Sequence, residues 1–276
     1  MKYLDLCDTH AHLYFEQFDT DREETLKKAR ELGINYIFLP NVDSETIQPL
    51  YNLTDAFPNL CFPMMGLHPC SVKANYEQEL DIIEQQLRQK PNYFYAIGEI
   101  GLDFYWDITY KDQQYDALER QINWAKDYRL PIVLHCRESH SEVFKVVKKM
   151  SSSDLHGVFH CFSGSKEQAI ELIQLGNFYL GIGGVVTYKN SRLQDIVRAI
   201  DLSHIVLETD APFLAPEPYR SAKEKSMRRN ESAYIAHIAQ YVADLKGVPV
   251  ETVAEITTQN ALNLFKWHEK QKNKAF

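Results

Sequence analysis

The chain has 276 residues, of which 45% are hydrophobic and 25% charged, and its formal net charge is −8. These proportions are ordinary for a globular protein and exclude a largely disordered chain. The acidic balance excludes a molecule that attracts phosphate over its whole surface, so contact with a polyanion needs a local basic patch or bound cations.

The opening "MKYLDLCDTHAH" has no basic region leading into a long apolar stretch, and no run of eighteen apolar residues occurs later. A cytoplasmic chain without a membrane span is expected. Cys7, Cys61, Cys70, Cys136 and Cys161 are scattered with no CxxC pair, which predicts reduced thiols rather than a disulfide framework. No repeat or Pro/Ser/Gly linker divides the sequence, so one domain is expected over 1–276.

Short apolar runs alternate with amphipathic segments. In chain order the runs are "YLDLCDTH" (3–10), "YIFLP" (36–40), "CFPMMG" (61–66), "YAIGEI" (95–100), "PIVLHC" (131–136), "GVFHCF" (157–162), "FYLGIG" (178–183) and "HIVLETD" (204–210). Between them, 20–33 carries helix signals, with Thr20 or Asp21 as N-cap and Gly33 as stop, and 165–176 repeats the plan from Ser165 to Gly176. Strands separated by helices pair in parallel, and eight such units predict an α/β fold, a (β/α)8 barrel. An open doubly wound sheet would carry a Gly-rich first turn, and "HAHLYFEQFDTD" has no glycine. The tail 248–265 predicts an extra C-terminal helix closing the barrel end.

Side chains alternate across a strand, so Asp8, His10 and His12 of "DTHAHL" share a face and both imidazoles can point at one ion. Glu99, His135, His160 and Asp210 each fall towards the C-terminal end of a predicted strand. In a closed barrel those ends converge on one rim, where six residues of metal-ligand type would share a basin. Imidazole and carboxylate together suit Zn, Mn, Fe or Ni, and six such side chains suit two ions with open positions. Taken singly, a strand-end histidine is an ordinary hydrogen-bonded residue and Asp210 before Pro212 reads as an Asx-turn. The constellation carries the reading, together with the cost of burying Glu99 unpaired.

The motifs "DTHAHL" (8–13), "GLHP" (66–69), "AIGEIGLDFY" (96–105), "HCRES" (135–139), "HCFSGS" (160–165), "GIGGVVTYKN" (181–190) and "LETDAPFLAPEPYR" (207–220) run in order over nearly the whole chain. Together they closely resemble the TatD-type metal-dependent deoxyribonucleases and hydrolases of the amidohydrolase superfamily. The resemblance implies a (β/α)8 barrel holding two divalent ions, Mg, Mn or Zn. His10 and His12 would hold one with Asp210, His135 and His160 would serve the second, and Glu99 would bridge both. It implies hydrolysis of DNA phosphodiesters, of the 3'-to-5' exonuclease type, with single-stranded ends as substrate and no stable protein partner. Members commonly read Arg-Gly-Lys-Arg-Asn-Glu-Pro after the last strand, where this chain reads "YRSAKEKSMRRNES" (219–232), with Ser232 in place of the proline. The departure falls on the substrate loop and leaves the ligands untouched.

On this reading a metal-activated water attacks, Asp210 is the candidate general base, and Glu99 is essential as the bridging carboxylate. Substrate contacts are expected from His68, Arg137 and Ser163, the last with Gly164. Asp8 and Asp103 are expected to brace an imidazole or a loop. Arg220, Lys223, Lys225, Arg228 and Arg229 form a local basic cluster, and Tyr105 and Trp106 are candidates to stack on a base. Two other readings stand beside this one. The same activated water could cleave an ester or amide such as an aminoacyl ester, or the chain could be a non-catalytic metal-dependent binding protein. A closed four-ligand structural site would favour the last, and six ligand-type residues argue against it.

Overall fold

All eight apolar runs form parallel strands, and their order around the molecule follows their order in the chain. The computed structural model describes residues 4–224, 228–267 and 270–271. Strands β1 (Leu6–Asp8), β2 (Ile34–Leu39) and β3 (Cys61–Pro63) form one ladder, while β4 (Ile97–Asp103), β5 (Ile132–Arg137), β6 (Gly157–Phe159), β7 (Phe178–Ile182) and β8 (Ile205–Leu207) form the other. Two single bridges join the ladders, Met65 to Ile97 and Ala11 to Ala211. The His12 amide donates to Ala211 O at 2.7 Å across the second seam. The ring is therefore closed, as a (β/α)8 barrel requires.

Helices α1 (Arg22–Glu31), α2 (Ile47–Ala56), α3 (Tyr76–Gln89), α4 (Lys111–Tyr128), α5 (His140–Lys149), α6 (Lys166–Gln174), α7 (Leu193–Ala199) and α8 (Ile235–Lys246) each follow the strand of the same number. In α1, Glu23 and Glu24 lie in the first turn and Lys28 and Arg30 in the last, matching the helix dipole. In α6, Ser165 is the N-cap, as the sequence predicts, and forms a reciprocal capping box with Gln168. Asp21 occupies the N-cap of α1, but its carboxylate makes no cap bond and turns to Arg229 instead.

The predicted tail helix is α9 (Val250–Leu264), which packs against β1 and β8. Just past it, Phe265 stacks on Phe38 of β2 at 3.8 Å between ring centres. Phe62, Tyr95, Val133, Val158 and Val206 join them inside the barrel. Full burial of a ring such as Phe265 contributes about 1.5–3 kcal/mol.

Strand limits differ from the runs where the polar residues stand. β1 and β8 end at Asp8 and Leu207, so His10, His12 and Asp210 lie on loops past the strands rather than within them. Conversely β4 continues to Asp103 with every residue buried. Gly101 allows this, because its φ of 153° and its backbone contact with His135 leave no room for a Cβ.

Candidate metal centre

Glu99 joins two groups of histidines. Its Oε2 lies 3.1 Å from His10 Nε2 and 3.7 Å from His12 Nε2. Its Oε1 lies 2.8 Å from His135 Nδ1, 3.5 Å from His68 Nε2 and 3.7 Å from His160 Nε2. Asp210 Oδ1 stands 3.7 Å from His12 Nε2 and 3.8 Å from those of His10 and His160. All six candidate ligands thus meet in one basin, and His68 joins them.

Hydrogen bonds on the far side of His12 and His135 decide which of their nitrogens faces the basin. Tyr14 Oη donates to Pro40 O at 2.6 Å and so accepts from His12 Nδ1, which leaves the Nε2 lone pair inward. His135 Nε2 bonds Asp103 Oδ2 at 2.9 Å, which leaves Nδ1 facing Glu99. His160 Nδ1 stands 3.2 Å from Glu208 Oε1, with Nε2 inward, although the pair is not aligned as a hydrogen bond. Such outer carboxylates fix and polarise a ligating imidazole. His68 differs. Its Nδ1 accepts the Cys70 amide at 3.0 Å, so its proton sits on Nε2 and it enters the basin as a donor.

The electrostatics fit a cationic guest. Burial pushes Asp210 up to about 7, pulled back by His160 and pushed on by Glu99. Burial likewise pushes Glu208 up to about 7, and holds His10, His12 and His160 below the usual imidazole range. For Glu99 burial is outweighed by His10, His68 and His160, which keep its carboxyl well below the usual range. For His135 burial is outweighed by Asp103 and Glu99, which draw it up to about 9. The carboxylates and the neutral imidazoles of His10, His12 and His160 thus converge, with positive charge gathered on the His135 and His68 side, and the donor set His10, His12 and Glu99, with the His10 and His12 Nε2 atoms 3.2 Å apart, suits a divalent ion.

The family model for TatD related DNase matches residues 7–266. The chain belongs to the TatD-related DNase family. As a member it is a metal-dependent hydrolase built on a (β/α)8 barrel. It is 36% identical to the metal-dependent hydrolase YabD of Bacillus subtilis over 95% of this chain and 99% of that protein. It is 34% identical to the 3'-5' ssDNA/RNA exonuclease TatD of a Rahnella species, over 92% of this chain and 95% of the relative. Its fold superposes on the crystal structure of the TatD homolog YjjV of Escherichia coli K12 with a TM-score of 0.86 and 30% identity, covering 95% and 98% of the two chains. No helix among the described residues is long and apolar enough to cross a membrane.

Other candidates of this TatD-family chain fall in different places. Asp103 touches His135 through one oxygen, and its other accepts the amides of Tyr105 and Trp106 at 3.0 and 3.1 Å. Asp8 turns away from the histidines. It accepts the Thr209 amide at 2.9 Å, the Thr209 hydroxyl at 2.7 Å and the Ser232 hydroxyl at 2.6 Å, besides the His10 amide at 3.3 Å. Ser163 is exposed and pairs with His140 at 3.4 Å, outside the basin. Arg137 is exposed over the Tyr105 ring.

The basic cluster needs correction. Arg229 makes a two-pronged pair with Asp21 at 2.7 and 2.8 Å, reaches Glu231 and Gln17 O, and covers Phe18, so it braces the loop against α1. Arg228 donates to Ala222 O, Arg220 covers Tyr188, and Lys225 lies outside the described residues. Arg220, Arg228 and Arg229 are thus each spent on a separate local partner rather than on one shared free face.

Glu208 escaped sequence reading. It is fully buried, accepts the Cys161 amide and faces His160. The signal was present, since Glu208 is two residues from Asp210 and alternation gives both one side.

Proposed function

We propose that this hydrolase is a two-metal 3'-to-5' exonuclease that trims single-stranded DNA ends in the cytoplasm. The observation that carries the reading is the division of Glu99, whose two oxygens serve separate imidazole groups at 3.1 and 2.8 Å, as a carboxylate shared by two ions does. His10, His12, Glu99 and Asp210 would hold one ion, and Glu99, His135 and His160 the other. The names of the Rahnella and Pantoea relatives, both 3'-5' ssDNA/RNA exonucleases, support DNA as substrate and this polarity.

When bound, two divalent ions, Mg, Mn or Zn, supply Lewis acidity to the phosphodiester and acidify a water. The chain does the rest. Asp210 Oδ1, beside three imidazole nitrogens, accepts the proton of the attacking water. His68 donates from Nε2 to a phosphate oxygen or the leaving oxygen. Asp103 and Glu208 hold His135 and His160 in register.

Single-stranded DNA labelled at its 5' end, incubated with Mg or Mn, should give a ladder of shortening products. The same strand labelled at its 3' end should release labelled mononucleotide at once. Intact DNA alongside cleavage of an aminoacyl ester would replace this reading with the esterase one.

A further inference from the structure

Two exposed aromatic groups stand across the barrel mouth from one another. The ring order places the loops after β4 and β8 four strands apart, on opposite sides. After β4, Tyr105 and Trp106 are 54% and 67% exposed, with the Arg137 guanidinium 4.0 and 5.0 Å from their ring centres. After β8, Phe213 is 47% exposed and stands edge-on to Phe15 at 6.2 Å and His12 at 6.3 Å. Neither group is loosely hung. Asp103 fixes the amides of Tyr105 and Trp106 with one oxygen and His135 with the other, so the platform and the centre share one frame.

We propose that these two groups are stacking subsites for successive bases of one strand, with the scissile phosphate over Glu99 between them. The inference rests on the nuclease reading above. Every base has a π face, so such subsites are indifferent to sequence. Bases inside a duplex have both faces covered, so the same subsites select an unpaired end. Arg137 supplies the positive charge that a continuing phosphate backbone requires. The body of the strand therefore lies on the Tyr105–Trp106 side, and the departing nucleotide lies by Phe213.

Intrinsic fluorescence tests this directly, because of the three tryptophans Trp106 faces solvent at the mouth, while Trp124 is only 6% exposed and Trp267 is half-buried against Phe62 on the barrel floor. A short phosphorothioate oligo(dT), which resists cleavage, should quench emission as it binds. The quench should vanish in Trp106→Phe while affinity is largely kept, and Trp106→Ala should weaken binding about ten-fold or more. Binding without quenching overturns the platform. In turnover, Trp106→Ala should lower kcat/KM for an oligo(dT) strand about ten-fold more than for the same strand carrying an abasic site just upstream of its terminal nucleotide, which gives the platform no base to hold. Phe213→Ala should lower both substrates alike. Equal losses on both substrates in Trp106→Ala, with wild-type digestion of DNA intact, sink the subsites alone. No digestion of DNA by the wild type sinks the nuclease reading itself.

Discussion

The Ser232 hydroxyl donates to Asp8 Oδ2 at 2.6 Å, joining residues 224 positions apart in the chain. Ser232 stands where the family resemblance leads one to expect proline, and proline has no hydroxyl to offer. In this chain the substitution is therefore part of how β1 is tied to the loop before α8. Ser232→Ala should leave a buried carboxylate short of one donor and lower stability by about 1–3 kcal/mol, read from urea unfolding of the chelated protein. An unchanged midpoint would mean that Asp8 is satisfied by Thr209 and His10 alone.

Asp210→Asn keeps the shape of the side chain but cannot take a proton. Turnover of single-stranded DNA should fall by about 10²–10⁴ while the circular dichroism spectrum is kept. Glu99→Gln should do more, since it weakens both ion sites at once. Metal stoichiometry by elemental analysis should drop for both ions, and an unaltered metal content would refute the bridging role.

Gly181 makes room for Glu208, because a Cβ there would run into the Glu208 carboxylate. Gly181→Ala should therefore cost about 1–3 kcal/mol in thermal unfolding. It should also weaken metal affinity by about 10–100-fold through the displaced support of His160. A melting loss with unchanged metal affinity would separate Glu208 from the centre.

The Asp21–Arg229 pair gives a pH dependence. Arg229 holds the Asp21 carboxyl below its ordinary value near 3.8. The folded state thus binds the proton more weakly than the unfolded one, so the contribution is complete above that ordinary value and is lost as pH falls through the lower folded value. With Asp21 38% exposed, its worth is at most about 1 kcal/mol. Asp21→Asn should lower stability at pH 7 and narrow the gap to the parent as the pH is taken below the ordinary carboxyl range. A constant gap across that range would mean that the pair is screened away.

Much of the centre was legible because strand order and alternation are short-range rules. His10 and His12 face one point because they are two residues apart, while His135 lies near the end of β5 and His160 directly after β6. Glu208 was hidden by its place in "HIVLETD", where it reads as strand, although its spacing from Asp210 carried the information. Arg229 was misread for a different reason. A charge next to other charges looks like a patch, and its partner Asp21 lies 208 residues away, a closeness only the closed barrel creates. The direction of His68 could not be read either, since it depends on the Cys70 amide at a turn.

The stack of Phe265 on Phe38 makes the barrel a blind-ended well. With Phe62, Tyr95 and the strand valines filling the lower interior, nothing the size of a nucleotide passes through the floor. Whatever enters at the mouth must leave by the mouth. An enzyme that trims strand ends in such a well takes in its strand and lets out each severed unit through the same opening, on opposite sides of it.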